Sequence, residues 1–94
     1  MKLTEPIRRG YGFASIRAMD GNVEAGFIDY HESDEGALID QLWVEHKYRR
    51  QGVATQLVEA VLKRYPSTTR VGFRTRDGLK LFENFSGRVR TPPW

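Results

Sequence analysis

The chain has 94 residues, a hydrophobic fraction of 39%, no cysteine, and 15 Lys and Arg against 12 Asp and Glu, for a formal charge of +3. That length holds one domain with one core, burying roughly 60–70% of the surface the unfolded chain exposes. The composition excludes disulfides, zinc–thiolate sites and a thiol nucleophile; the charge excess is too mild to imply nucleic acid; and no apolar run approaches the ~20 residues of a membrane span or a secretory leader. A cytoplasmic protein is the expectation, in keeping with a chain that makes no use of cysteine.

Residues 1–12 read as a polar lead-in with a short strand near Leu3–Ile7. Phe13–Met19 alternates, with Ala14, Ile16 and Ala18 on one side. Asp20-Gly21-Asn22 is a tight-turn signal, so a hairpin to Val23–Tyr30 is predicted, with Gly26 marking a bulge. His31 to Gly36 reads as a polar loop, and Ala37–Val44 as a buried central strand. From Gln51 to Tyr65, Val53, Ala54, Leu57, Val58, Val61 and Leu62 recur at helical spacing, Lys63 and Arg64 suit a helix C-terminus, and Pro66 stops the run. Thr69–Arg74 reads as a strand and Thr75–Phe85 as a second helix, capped by Thr75 or Asp77. The tail to Trp94 reads as an edge strand or a docked extension.

The turn between Val44 and Leu57 carries the most chemistry. Arg49, Gly52 and Ala54 are spaced R-x-x-G-x-A where strand passes to helix. A glycine there admits a ligand close to the backbone. The free N–H groups of the first helical turn, with the positive end of the macrodipole, suit a phosphate, and Arg49 and Arg50 add charge. The alternative is an ordinary strand–turn–helix with a solvated basic turn.

Leu42, Val44, Tyr48, Arg49, Gly52 and Ala54 together resemble the central motif of the GNAT N-acetyltransferase superfamily, in which a strand ending Leu-x-Val leads through Tyr-Arg-x-x-Gly-x-Gly/Ala into a helix. The likeness runs over about residues 13–85 and is strongest over 37–64. It implies an α/β (mixed α+β) fold with a mostly antiparallel sheet, a splayed central strand and two helices. The helices that the family places between its first two strands have no room here. Either the acceptor site is open, or a homodimer partner completes it.

The resemblance implies acetyl-CoA as cosubstrate. Leu42, Trp43 and Val44 would carry its pantetheine arm, and Arg49, Arg50, Gln51, Gly52, Val53, Ala54 and Thr55 its pyrophosphate. Transfer to an amine needs a base, an oxyanion donor and a route for the thiolate to leave. Asp40 is the one ionisable side chain within Ala37–Val44; a carboxylate inside an apolar strand is costly unless paired or functional, which marks it as the candidate base, with a salt bridge to an arginine as the alternative. The family's acid is a tyrosine in the last helix. Phe82 stands at that position, among the coenzyme-binding residues, and has no proton to give; Tyr48 and Tyr11 are the substitutes at hand.

Glu32, Asp34 and Glu35 precede the motif strand, at the end away from the cradle, where they would favour a cationic acceptor. The same residues fit a solvated acidic loop. His31 and His46 read as surface histidines, and no metal site is expected. The leading reading is acetyl transfer to a small-molecule amine or a protein lysine. Behind it stand a non-catalytic coenzyme A-binding module and a basic nucleic-acid binder using the arginines at 70, 74, 76, 88 and 90.

Overall fold

A computed structural model describes residues 1–72 and the backbone of residues 89–90. The predicted second helix, Phe82 and Trp94 lie outside the described residues. The elements are strands β1 (Lys2–Leu3), β2 (Ile7–Gly10), β3 (Phe13–Asp20), β4 (Val23–Ser33) and β5 (Gly36–Val44), a 3-10 turn (His46–Tyr48), helix α1 (Val53–Arg64), and strands β6 (Thr69–Val71) and β7 (Val89–Arg90). They form one mixed sheet in the order β1-β3-β4-β5-β6-β7, with β2 also on β3. Pairing is antiparallel from β1 to β5 and parallel from β5 to β7. Helix α1 is the crossover from β5 to β6.

Alternation decides which face α1 covers. Ala14, Ile16 and Ala18 of β3, Ile28 and Tyr30 of β4, and Ala37 and Ile39 of β5 are buried with Val53, Leu57, Val58, Val61 and Leu62 of the helix. The apolar stripe predicted for the helix is the stripe it buries, apart from Ala54, which is half-buried. Thr69 is fully buried and its hydroxyl donates to the Tyr65 carbonyl at 2.8 Å, which fixes the chain reversal at Pro66.

Several boundaries differ from expectation. The lead-in strand is split, because the segment around Pro6 cannot continue the ladder; Lys2–Leu3 and Ile7–Gly10 pair with β3 on either side of it. The predicted loop from His31 to Gly36 is a hairpin: His31, Glu32 and Ser33 pair with Leu38, Ala37 and Gly36, leaving only Asp34 and Glu35 as the turn. Its strand ends are polar, and polarity conceals a strand when its outer end faces water.

The first hairpin turns on Gly21 and Asn22 as predicted, with Gly21 at φ +61. Its bulge lies one residue before Gly26: Ala18 and Met19 pair with Gly26 and Glu24, leaving Ala25 as the extra residue. Gly26 has a different role, since a Cβ there would lie 2.5 Å from the Trp43 carbonyl oxygen. Gly26→Ala is therefore expected to force β4 from β5 and cost about 2 kcal/mol, readable as a lower urea midpoint.

Candidate functional site

The pairing of β5 with β6 spans only Ala37–Ile39, extended by the Gly72 N–H, which donates to the Ile39 carbonyl at 2.8 Å. Beyond it, Asp40–Val44 is paired to β4 alone among the described residues. Beside Asp40–Val44, on the side of β5 that carries β6, no paired strand lies among the described residues. The Glu45 N–H donates to the Ala25 carbonyl at 2.8 Å, so by strand alternation the backbone groups of Leu42 and Val44 face away from β4, toward that side. The side chains of Leu42 and Val44 pack against the core, while Trp43 is exposed.

Asp40 follows Ile39, the last β5 residue paired with β6 among the described residues, and it is a bulge residue. Asp29 and Tyr30 of β4 pair with Gln41 and Ile39, which leaves Asp40 unopposed. This corrects the expectation of a buried central strand: Ala37 and Ile39 are buried, but Asp40, Gln41 and Trp43 are exposed. No salt bridge to an arginine holds Asp40 among the described residues.

Beyond Val44 the chain turns into α1. Tyr48 is buried and its hydroxyl donates to Asp20 Oδ2 at 2.7 Å, pinning the turn to the β3–β4 hairpin; that hydrogen bond pushes the phenol up from its ordinary value. Arg50 and Gly52 take left-handed backbone conformations, at φ +64 and +80. Gln51 donates from its side-chain amide to the Lys47 carbonyl at 3.0 Å. Gly52 is the N-cap of α1, with no side-chain cap and no acidic residue in the first turn. Among the described residues the first-turn N–H groups at Val53, Ala54 and Thr55 therefore have no capping side chain. A Cβ at Gly52 would meet no atom within 4 Å, so the glycine serves the left-handed turn and faces open space.

Arg49 does not reach freely into that space. Its Nε donates to the Val44 carbonyl at 3.0 Å, and its guanidinium lies 4.8 Å from the centre of the Trp43 ring. Trp43 Nε1 in turn donates to Glu45 Oε1 at 3.3 Å. Arg49 thus straps the cradle to the end of β5, and Lys47 and Arg50 are the neighbouring cations.

The substitute acids are placed elsewhere. Tyr48 is committed to Asp20, and Tyr11 is exposed in the β2–β3 turn, at the end of β3 away from the cradle. The acidic segment before β5 does lie at the end away from the cradle, but most of its charge is paired. Glu32 Oε1 meets Arg8 Nε at 3.2 Å and Glu32 also accepts the Tyr65 hydroxyl, while Glu35 meets Arg70 at 3.3 Å. The Glu32 contact, burial and charge push Tyr65 up to about 12. Burial raises the nearby Tyr30 phenol, whose hydroxyl has no hydrogen-bond partner among the described residues.

The residues from Asp40 to Thr55 that the sequence marks are thus brought onto one strand edge, one turn and one helix end. Sequence reasoning missed the bulge, although two consecutive polar residues (Asp40, Gln41) between Ile39 and Leu42 break the alternation. It also missed the Asp20 anchor and the Ser15–Asp29 pair, which join residues far apart in sequence.

A model of the Acetyltransferase (GNAT) family matches residues 3–80. The chain belongs to this family. Among solved structures, the acetyltransferase AAC(6')-Iy in complex with a CoA-S-monomethyl-acetylneamine bisubstrate analog is similar at 22% identity over 82% of this chain and 63% of that one, with a TM-score of 0.65. The ribosomal-protein-S18-alanine N-acetyltransferase of Escherichia coli is similar at 15% identity over 83% of this chain and 54% of that one, with a TM-score of 0.68. A ribosomal-protein-alanine N-acetyltransferase from Brucella melitensis biovar Abortus 2308 is similar at 17% over 92% and 69%, with a TM-score of 0.70. At these identities the likeness is one of fold. The chain spans less than two thirds of the length of the first two of these proteins. No curated protein matches the chain. Among the described residues no helix of this GNAT chain is long and apolar enough to cross a membrane, and no group of three or more His, Cys, Asp or Glu is placed to hold a metal.

Proposed function

We propose that this GNAT chain is an N-acetyltransferase that passes the acetyl group of acetyl-CoA directly to an amine. One observation carries the reading: the edge of β5 at Leu42–Val44, unpaired on its far side among the described residues, leads straight to a helix N-terminus without a side-chain cap, beside Lys47, Arg49 and Arg50. An extended, amide-rich arm ending in a pyrophosphate is complementary to both parts. Leu42 and Val44 would bond the arm through backbone, with Trp43 and Arg49 closing its outer side. Arg50, Gln51, Gly52, Val53, Ala54 and Thr55 would hold the phosphates. Arg49 acts here mainly as the strap that sets the turn against the strand. Phe82 is retained as a coenzyme contact on the resemblance alone.

In this reading the acetyl group lies near the bulge at Asp40. The acceptor nitrogen attacks the thioester carbonyl, the C–S bond breaks, and the nitrogen's proton goes to Asp40, directly or through one water. An exposed carboxylate is accessible to that water, so the base role rests on position. With phenylalanine at 82, the thiolate leaves without a tyrosine acid and takes its proton from solvent. A small-molecule amine and a protein lysine are both candidate acceptors; the solved relatives include an aminoglycoside-analogue complex and enzymes named for a ribosomal protein. Placement in the cytoplasm and assembly as a homodimer remain parts of the proposal.

Phe82 also favours a second reading, a coenzyme A-binding module without turnover. Release of free thiol from acetyl-CoA in the presence of spermidine, neamine or poly-L-lysine decides between them. Amine-dependent thiol release and an acetylated amine by mass spectrometry are expected. Tight acetyl-CoA binding with no product from any amine would leave the binding module.

A further inference from the structure

The face of the sheet opposite α1 is built in cross-strand rows. One row runs Arg17–Phe27–Trp43, the next Ser15–Asp29–Gln41, and the third Phe13–His31–Leu38. The outer rows carry aromatic rings; the middle row is polar and contains one carboxylate. Its place is specific, because Gln41 directly follows the bulge residue Asp40. Asp29 is therefore the side chain on the neighbouring strand opposite Gln41, beside the bulge at Asp40.

Asp29 is held in one orientation. The Ser15 hydroxyl, itself 1% exposed, donates to Asp29 Oδ1 at 2.6 Å. That partner is neutral. Glu5, Glu24, Glu32 and Glu35 each face an arginine, namely Arg64, Arg17, Arg8 and Arg70, whereas Asp29 has no ion pair among the described residues. A half-buried, oriented carboxylate with no counter-charge among the described residues suits a cation.

We propose that Asp29 is a specificity-determining residue that binds a second positive charge of the acceptor, selecting amines that carry one beside the reacting nitrogen. This deepens the transferase reading and rests on it. Asp40 takes the proton from the nitrogen that reacts; Asp29 leaves the other ammonium charged and fixes it on the sheet face opposite α1, with Ser15 as the positioning residue. Trp43, 47% exposed in the adjacent row, supplies a ring face for the alkyl spacer.

The test compares spermidine, poly-L-lysine and singly charged n-butylamine as acceptors for the wild type and for Asp29→Asn, which keeps an oxygen for Ser15. The variant is expected to raise KM roughly 10- to 100-fold for the multiply charged probes. Its kcat, its KM for n-butylamine, its acetyl-CoA affinity and its melting temperature stay near wild type. Ser15→Ala, which releases the orientation, gives the same pattern more weakly. Loss on spermidine alone assigns a small polyamine, and loss on poly-L-lysine alone a polypeptide. Equal losses on all three probes, a fall in kcat with KM unchanged, or a wild type that binds acetyl-CoA and acetylates neither multiply charged probe would overturn the inference. Failure of the wild type to bind acetyl-CoA would instead overturn the transferase reading beneath it.

Discussion

Asp40→Asn is expected to lower kcat by about 10²- to 10⁴-fold while acetyl-CoA affinity stays unchanged. Asparagine has the size of aspartate and cannot accept the amine proton. The coenzyme contacts assigned to this strand belong to Leu42 and Val44 and use backbone, which the substitution leaves in place. Asp40 is exposed and unpaired among the described residues, so the fold should respond by no more than about 0.5 kcal/mol. Steady-state kinetics with saturating acetyl-CoA, beside a calorimetric titration of the variant, separate the two effects. Unchanged kcat would show that the proton leaves by another route, through solvent.

Leu57→Ala is expected to cost about 2–5 kcal/mol, out of a total of about 5–15 kcal/mol for a domain of this kind. Leu57 is fully buried in the centre of the helix face that meets β3, β4 and β5. In a sheet covered on this side by one described helix, few neighbours can collapse into the cavity. The loss reaches the site, because the same helix presents the cradle at its first turn. Gln56→Ala, one residue away on the exposed side, should stay within about 0.5 kcal/mol. Urea unfolding of the two variants measures the contrast, and equal losses would mean that the helix does not pack as described.

Much of this was legible in the sequence because it is local. The spacing of Val53, Leu57, Val58, Val61 and Leu62 fixes a helix and its buried side, and Gly52 before it fixes where the helix begins. Gly21-Asn22 fixes a hairpin for the same reason. What was not legible depends on register between strands. Asp40 was singled out as a carboxylate in a buried strand, yet it is exposed; its importance comes from a bulge defined by its partners on β4. The segment His31–Gly36 looked like a loop because its side chains are polar, although Glu32 is held by Arg8 from another strand and Tyr65 from beyond the helix. Arg49 was read as a phosphate ligand; that it also straps strand to turn is visible only once Val44 and Trp43 are seen beside it.

The most direct measurement is a calorimetric titration of acetyl-CoA into the wild type and Gly52→Asp. A Cβ at residue 52 meets no atom within 4 Å, and aspartate tolerates left-handed φ better than most residues, so the fold should survive at a cost of about 1 kcal/mol. The new carboxylate would stand at the helix N-terminus, competing for its N–H groups and repelling phosphate. Micromolar binding by the wild type, weakened at least about 100-fold in a variant that still unfolds cooperatively, is the expected result. No binding by the wild type, or equal binding by both proteins, would contradict the cradle.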